Sequence, residues 1–229
     1  MTDVIAHRGA SARRPENTIA AFEAARAIGA DAVELDVRRT RDGVGVVCHD
    51  AHLPDGRLIC GLDAAEIPAG VPRLAEALEA CAGMEVNIEI KNLATDPDFD
   101  PDQAMADHVV DTVVAMGLVE QIVVSSFGFA AIERVRGLEP RLRTAWLVVG
   151  ADRAEVLVDR AAAHGHAGIH PHWAMVDASL VERAHEAGLF VNTWTVDDPH
   201  EMRRLAELGV DGIVTNVPDV ALAALGRRS

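Results

Sequence analysis

Three carboxylates stand at positions where a buried β-strand would carry apolar side chains. Glu34 and Asp36 are separated by one residue in an otherwise apolar run, and Glu89 lies in a second such run. Because strand side chains alternate between two faces, Glu34 and Asp36 point the same way. Oxygen donors grouped on neighbouring strands are the ligands that Mg²⁺ or Ca²⁺ prefers, so we expect a divalent-cation site here. The alternative is a set of salt bridges to nearby basic residues, namely Arg8, Arg38 or Lys91.

Two histidines accompany the carboxylates. His7 ends the first apolar run, and His49 follows a later one. An unperturbed imidazole titrates near neutrality, so it can both accept and release a proton under ordinary conditions. We expect His7 and His49 to form a general acid–base pair, although a single histidine is more often structural. Which of the two is the acid is left open.

Two cations complete the charged set. Arg8 follows His7 directly, and Lys91 is the only lysine among the 21 Lys and Arg residues. Arginine offers paired donors to phosphate oxygens, whereas lysine acts as a compact point charge. We therefore expect Arg8 and Lys91 to bind phosphate, although Arg8 could equally clamp a carboxylate. A metal, two imidazoles and two cations together suit hydrolysis of a phosphate ester.

A weaker group of candidates could contact the rest of a substrate. Asn17 could reach the site or cap the helix that follows it. Trp194 is predicted to point inward from a late strand, where it could pack on a carbon skeleton or simply belong to the core. Phe127 and His172 are weaker candidates of the same kind.

Length and charge restrict the class of protein. The chain has 229 residues, and we expect one domain over residues 1–229. Its net charge of −15 is unfavourable for binding nucleic acid or anionic membranes. No apolar run approaches the ~20 residues of a membrane-spanning helix, so no stable membrane insertion is expected. The oligomeric state is not predicted.

The compartment is predicted from the N-terminus and the cysteines. An apolar strand begins at Asp3 or Val4, which leaves no room for a signal peptide, so we expect a cytoplasmic protein. The three cysteines have no metal-type spacing and are odd in number, so we expect reduced thiols.

Apolar runs alternate with amphipathic segments along the chain. The predicted strands are Val4–His7, Ala32–Val37, Val86–Lys91, Ile122–Ser126, Arg143–Val149, Ala167–His170, Phe190–Val196 and Gly212–Thr215. The predicted helices are Thr18–Ile28, Leu74–Cys81, Asp102–Met116, Phe129–Leu138, Arg153–His164, Ser179–Ala187, Pro199–Leu208 and Val220–Leu225. Glycines directly after five of these helices favour termination there.

This alternation predicts an α/β fold, a TIM (β/α)₈ barrel. An open doubly wound sheet is the alternative, but no Gly-x-Gly-x-x-Gly motif follows the first strand. Asp42-Gly43 between apolar runs predicts a short β-hairpin after the second strand, with an arm at Gly45–Cys48 that delivers His49 to the barrel mouth. Barrel active sites lie at the C-terminal ends of the strands, where the candidates converge.

Short motifs follow one another in order along nearly the whole chain. They are His7-Arg8-Gly9, Pro15-Glu16-Asn17-Thr18, Glu34-Leu35-Asp36-Val37, His49-Asp50, Glu89-Ile90-Lys91, Ser126-Phe127, Trp194-Thr195-Val196 and Gly209-Val210-Asp211-Gly212-Ile213-Val214-Thr215. In this order and spacing they resemble the glycerophosphodiester phosphodiesterase family. The resemblance implies a metal-dependent barrel hydrolase that cleaves glycerophosphodiesters, such as glycerophosphocholine and glycerophosphoethanolamine, to an alcohol and sn-glycerol 3-phosphate.

The resemblance also implies roles for individual residues. His7 and His49 match the acid–base pair of the family, Glu34, Asp36 and Glu89 its metal ligands, and Arg8 and Lys91 its phosphate contacts. It suggests that the glycerol hydroxyl of the substrate attacks first and that water then opens a cyclic phosphate. Two departures are that Ala51-His52 follows His49-Asp50 where the family often has Leu and an Arg-Thr-Thr run, and that Thr215-Asn216 stands where it often has Thr-Asp.

Two other functions fit the same residues. A lysophospholipase D or another phosphodiesterase on this barrel would need an apolar rim for a long chain, and the aromatic content of 3% offers little. A non-catalytic barrel that binds phosphodiesters would need cations but no titrating pair, so the two histidines favour an enzyme.

Overall fold

Eight parallel strands close into a ring in this computed structural model, which describes residues 1–150 and 154–227. The ring strands are β1 (Asp3–His7), β2 (Ala32–Arg39), β4 (Glu85–Ile90), β5 (Ile122–Ser126), β6 (Arg143–Val148), β7 (Gly168–Pro171), β8 (Phe190–Thr193) and β9 (Gly212–Thr215), and β3 (Gly45–Val47) is an additional strand. Strand β1 pairs with both β2 and β9, which closes the barrel. The predicted TIM barrel is therefore confirmed.

Helices follow the barrel strands and cover the outside of the ring. They are α1 (Ile19–Ile28), α2 (Leu74–Ala80), α3 (Ala104–Ala115), α4 (Phe129–Leu138), α5 (Ala154–Ala163), α6 (Ala178–Glu186), α7 (Pro199–Glu207) and α8 (Pro218–Ala224). The main core includes the outward faces of the strands and the inner faces of these helices, with fully buried Phe22, Leu35, Ile88 and Met202. Both strand faces are buried, which explains their nearly continuous apolar sequences.

Strand β3 lies outside the ring and pairs antiparallel with the end of β2, as the predicted hairpin requires. Its turn is closed by Thr40, whose backbone N–H donates to the Val44 carbonyl at 3.0 Å and whose hydroxyl donates to Asp42 at 2.6 Å. Gly43 has a φ of 84°, a left-handed conformation that glycine adopts without strain. The hairpin returns the chain towards the barrel mouth two residues before His49.

Strand register decides which site residues are neighbours. His7 is opposite Glu34, and Asp36 is opposite Glu89, in adjacent parallel strands. The turn after β1 is tight: Arg8 and Gly9 both have positive φ, and a Cβ on Gly9 would lie 2.6 Å from the backbone of Ala21. Only glycine allows α1 to approach the end of β1 this closely.

Some element boundaries differ from prediction. Strand β8 ends at Thr193 rather than Val196, so Trp194 lies just past it. Helix α8 begins at Pro218 rather than Val220, because proline is well suited to the first turn of a helix. The predicted start of the fifth helix, Arg153, lies outside the described residues. No helix in the two described ranges has the length and apolar character needed to cross a membrane.

Candidate active site

The three predicted carboxylates converge inside the mouth of the barrel. Glu34, Asp36 and Glu89 are 3%, 0% and 7% exposed, and one oxygen from each lies within 4.8 Å of the others. Glu34 and Asp36 project from β2 on the same face, and Glu89 projects from the neighbouring β4. The alternation of strand side chains therefore gathers three acidic groups in one place.

Two cations contact this cluster directly. The Lys91 ammonium lies 3.0 Å from Asp36 Oδ1 and 2.5 Å from Glu89 Oε1. The Arg8 guanidinium Nε lies 3.1 Å from Asp36 Oδ2, and the Arg8 backbone N–H donates to Glu34 Oε2 at 3.0 Å. The salt bridges considered as the alternative to a metal site are thus present for Arg8 and Lys91. They leave three carboxyl groups facing two cations, so full ionisation of the cluster would leave one negative charge uncompensated.

The donor atoms fit a divalent cation. Glu34 Oε1 is buried and has no hydrogen-bond partner among the described residues. A buried carboxylate oxygen without a donor is destabilising unless a cation or a proton joins it. Three carboxylate oxygens within reach of one another are a ligand set for a hard ion such as Mg²⁺ or Ca²⁺.

The pKa values reflect this crowding. Burial, followed by the charge of Asp36, raises the pKa of Glu34 to about 8. Burial also raises the pKa of Glu89 to about 7, against the opposing effect of Lys91. Burial alone would raise the pKa of Asp36, but Lys91 and Arg8 outweigh it and lower that pKa. In the absence of a metal ion, protons therefore occupy part of this cluster near neutral pH.

His7 and His49 both line the same cavity as the carboxylates. His7 Nδ1 lies 2.8 Å from Asn216 Oδ1, and His49 Nδ1 lies 2.7 Å from Asp50 Oδ1. Burial lowers the pKa of both rings, with further lowering by the nearby Arg8 at His7 and Lys91 at His49. Neutral imidazoles at physiological pH are able to accept protons.

The cavity has a polar side and an apolar side. Its volume is about 130 Å³, which suits a small polar ligand. The charged residues come from the β1 to β4 part of the ring, and Phe127, Leu147, His170, Trp194 and Val214, here called the apolar side, come from the β5 to β9 part. The Trp194 and Phe127 rings meet edge to face with centroids 5.3 Å apart. The apolar side can pack against carbon atoms while the charged side holds an anion.

Two weaker candidates lie away from this cavity wall. Asn17 is buried behind Asp36, to which it donates from Nδ2 at 2.8 Å, and it does not line the cavity. Its side chain thus orients a carboxylate, and its predicted contact with substrate stays a prediction. His172 does not line the cavity either, and its ring lies 5.2 Å from that of Trp194.

Arg38 and Asn216 contact the two site histidines, a role that their sequence positions did not predict. Arg38, considered only as a salt-bridge partner, donates from Nε to the His49 carbonyl at 2.7 Å. Its position two residues after Asp36, on the same strand face, was the available signal. Asn216 was recognised only as a departure at the end of a strand, yet it contacts His7. No local pattern indicates a contact across 209 residues of sequence.

Comparisons with known proteins give a consistent picture. A sequence model of the "Glycerophosphoryl diester phosphodiesterase family" matches residues 7–220. A glycerophosphodiester phosphodiesterase of Caldanaerobacter subterraneus is 32% identical over 243 residues, covering 96% of each chain. An Agrobacterium tumefaciens glycerophosphodiester phosphodiesterase structure has 30% identity and a TM-score of 0.81, covering 97% of this chain and 100% of the other. An Oleispira antarctica phosphodiesterase, solved with the product sn-glycerol-3-phosphate, has 26% identity and a TM-score of 0.87, with 99% and 97% coverage.

Proposed function

Because this chain belongs to the glycerophosphoryl diester phosphodiesterase family, we propose that it hydrolyses glycerophosphodiesters to an alcohol and sn-glycerol 3-phosphate. Glycerophosphocholine and glycerophosphoethanolamine are the proposed substrates. The observation that carries the proposal is the convergence of acidic, basic and imidazole groups on one cavity of about 130 Å³. Binding alone would need the cations but no pair of imidazoles.

Glu34, Asp36 and Glu89 would hold the divalent ion, Mg²⁺ or Ca²⁺. When bound, this ion would supply Lewis-acid polarisation of the phosphate and neutralise part of its charge. The unpartnered Glu34 Oε1 supports this assignment, since it otherwise lacks a donor among the described residues. The same ion would compensate the excess negative charge of the cluster.

Arg8 and Lys91 bind the phosphate oxygens in this proposal. Both line the cavity, and both are held by contacts to Asp36. Cations fixed in this way stabilise the more negative transition state without having to reorganise during the reaction. Arg8 presents a planar fork and Lys91 a point charge, so together they can orient as well as neutralise the ester.

The two histidines carry the proton transfers. One imidazole takes the proton of the glycerol hydroxyl as its oxygen attacks phosphorus, and the bond to the leaving alcohol breaks. The other imidazole, which must enter this step protonated, gives its proton to the departing alkoxide and becomes neutral. Water then adds to the cyclic phosphate with proton transfers in the reverse sense, which opens the ring to sn-glycerol 3-phosphate.

The apolar side of the cavity positions the glycerol carbons. Trp194 supplies a flat surface there, and its indole N–H is already occupied by the His170 carbonyl at 2.8 Å. The indole ring is therefore fixed in orientation and offers its apolar atoms to the ligand. Asn17 contributes by holding Asp36 through its amide.

The test is release of glycerol 3-phosphate by purified protein. Protein stripped of metal would be assayed with glycerophosphocholine, with lysophosphatidylcholine, and with added Mg²⁺ or Ca²⁺. We expect metal-dependent release from glycerophosphocholine and much slower cleavage of lysophosphatidylcholine. Preferential cleavage of the lysolipid would identify a lysophospholipase D instead. Binding without turnover of either compound would overturn the proposal that this is an enzyme.

A further inference from the structure

His7 is held by a residue at the far end of the chain. Asn216 directly follows β9, which pairs with β1, and its amide Oδ1 lies 2.8 Å from His7 Nδ1. A distance alone does not decide which end of an amide faces an imidazole, or which ring nitrogen carries the proton. Both follow from the donors and acceptors around them.

Asp197 decides the orientation of the Asn216 amide. Asp197 Oδ2 lies 2.7 Å from Asn216 Nδ2, while Oδ1 accepts from the Asn216 backbone N–H at 2.8 Å and from the Thr215 hydroxyl at 2.9 Å. An ionised carboxylate only accepts hydrogen bonds, so the group of Asn216 facing it must be the NH₂ donor. The Asn216 carbonyl oxygen therefore faces His7.

Ser11 is compatible with this orientation, because its hydroxyl can donate to a carbonyl oxygen. Its hydroxyl lies 2.9 Å from the same Asn216 Oδ1 and donates to it. With the carbonyl oxygen facing His7, the ring nitrogen opposite must be the donor, because a carbonyl oxygen cannot donate. The proton of neutral His7 is then on Nδ1, and the lone pair is on Nε2. Nε2 is the nitrogen that lies 3.9 Å from Glu34 Oε2.

We propose that Asn216 and Asp197 are positioning residues that hold His7 in its Nδ1–H tautomer, so that Nε2 is the nitrogen that exchanges a proton with the substrate. The proposal rests on the proposed function for its catalytic consequence. Neither Asn216 nor Asp197 lines the cavity, so neither is expected to contact the substrate. Their effect passes through the hydrogen-bond chain from Asp197 to Asn216 to His7.

This hydrogen-bond chain predicts that the conservative substitution Asp197→Asn changes the tautomer of His7. In Asp197→Asn, the new amide keeps its oxygen on the Thr215 hydroxyl and the Asn216 backbone, and turns an NH₂ group towards Asn216. Two NH₂ groups cannot bond to each other, so the Asn216 amide rotates and presents its own NH₂ to His7. The proton of His7 then moves to Nε2, which removes the lone pair facing the substrate.

A second substitution should reverse this effect. Asn216→Asp alone places two carboxylates at a contact that is now 2.7 Å, where their charges repel. Combining it with Asp197→Asn restores the donor and acceptor order, because the new amide donates to the new carboxylate, and that carboxylate accepts from His7 Nδ1. Each single variant should therefore be impaired, whereas the double variant recovers.

The experiment combines kinetics with ¹⁵N NMR of the histidine rings in the full-length, metal-loaded protein, with His7 assigned by its loss in His7→Gln. In wild type we expect the proton of neutral His7 on Nδ1, and in Asp197→Asn on Nε2. A wrong tautomer in serine proteases costs about 10⁴-fold in kcat, so we expect Asp197→Asn to lose at least ~10² in kcat with a nearly unchanged KM. The double variant should regain most of that loss.

Asp198→Asn is the matched control, because it makes the same chemical change at the neighbouring residue. Asp198 caps α7 by accepting from the N–H groups of His200 and Glu201, a role that asparagine also fills. Its activity and His7 signals should match wild type. An Nε2–H tautomer in wild type, or a double variant no better than both single variants at equal thermal stability, would overturn the inference. If wild type cleaves no glycerophosphodiester, the proposed function fails, while the NMR result still decides the tautomer.

Discussion

Arg38 donates a hydrogen bond from Nε to the main-chain carbonyl of His49, with 2.7 Å between nitrogen and oxygen. The same guanidinium binds both oxygens of Asp98 through Nη1, at 2.7 and 2.9 Å. Arg38 is almost fully buried, so these contacts are protected from solvent. The segment that carries His49 is thus fixed to β2 by a planar, charge-assisted anchor.

Replacing this anchor should affect turnover more than substrate binding. Arg38→Lys keeps a positive charge near Asp98, but it loses the Nε donor that meets the His49 carbonyl. We expect a fall in kcat of about 10-fold, since small displacements of catalytic groups are costly. Steady-state kinetics of Arg38→Lys measure kcat and KM, and thermal unfolding checks that the variant is folded. Arg39→Lys, the same change at the neighbouring residue, is the control. An unchanged kcat in a correctly folded Arg38→Lys variant would exclude this positioning role.

The carboxylate cluster should bind a divalent ion and stabilise the fold. A ligand at 100 times its dissociation constant stabilises by about 2.7 kcal/mol, which corresponds to a rise in Tm of about 5 °C or more for a chain of this size. We expect Mg²⁺ or Ca²⁺ to raise the Tm of wild type, and Glu34→Gln and Glu89→Gln to lose most of the rise. Glu23→Gln, on the exposed face of α1, should respond as wild type does. An equal response of all four proteins would show that the ion binds elsewhere.

Replacing each of the two histidines by alanine tests the proposed acid–base pair. His7→Ala and His49→Ala should each reduce turnover by at least ~10², the low end for acid–base catalysis. His200→Ala, an exposed histidine in the first turn of α7, is the control and should retain activity. Near-normal turnover in both site variants would contradict the proposed proton transfers.

Trp194 is expected to influence substrate binding through its apolar surface. Trp194→Ala removes the indole that packs against Phe127 and should raise KM more than it lowers kcat. Trp194→Phe keeps an aromatic surface, so its KM should lie between those of wild type and Trp194→Ala. Equal KM values in all three proteins would mean that the glycerol carbons pack elsewhere.

Two buried histidines should make the fold sensitive to acid. Burial lowers the pKa of His166 to about 4 and that of His170 to about 3, from an ordinary value of 6.5. Below pH 6.5 the unfolded chain takes up protons that the folded protein refuses, so stability falls with decreasing pH until the folded-state pKa is reached. Each histidine contributes up to ~1.4 kcal/mol per pH unit in this window.

His170→Leu isolates one of these contributions. Chemical denaturation at several values between pH 7.5 and 4.5 should show a shallower loss of stability for the variant than for wild type. The difference in slope should approach one proton, since His170 has no hydrogen-bond partner in the described part of the chain. Parallel curves of stability against pH for the two proteins would mean that His170 is already protonated in the folded state.

The sequence predicted the barrel well because its signals are local. Apolar runs, glycines after helices and the Asp42-Gly43 turn each depend on a few neighbouring residues. The convergence of Glu34, Asp36 and Glu89 could also be predicted, because strand alternation and parallel register place them together. These are the parts of the site that follow from secondary structure alone.

The supporting contacts could not be predicted in the same way. Arg38 reaches Asp98 across 60 residues, and His7 reaches Asn216 across 209. Such pairs depend on where loops and strand ends meet after the ring has closed, which no local pattern encodes. The contacts of Lys91 with Asp36 and Glu89, two of the proposed metal ligands, likewise emerge only from the distances.

The groups proposed to react with the phosphate and the residues proposed to pack against the glycerol carbons lie in different halves of the sequence. Apart from the pair that orients His7, every group proposed for the chemistry lies at or before Lys91, whereas Phe127, Leu147, Trp194 and Val214 lie on later strands or directly after them. A recombination point between β4 and β5 would therefore exchange these cavity-lining residues, together with Asp197 and Asn216, and keep the carboxylates, the two cations and both histidines. Changes confined to the C-terminal half would then alter how the glycerol carbons pack and how His7 is oriented, without replacing any of the groups proposed to react with the phosphate.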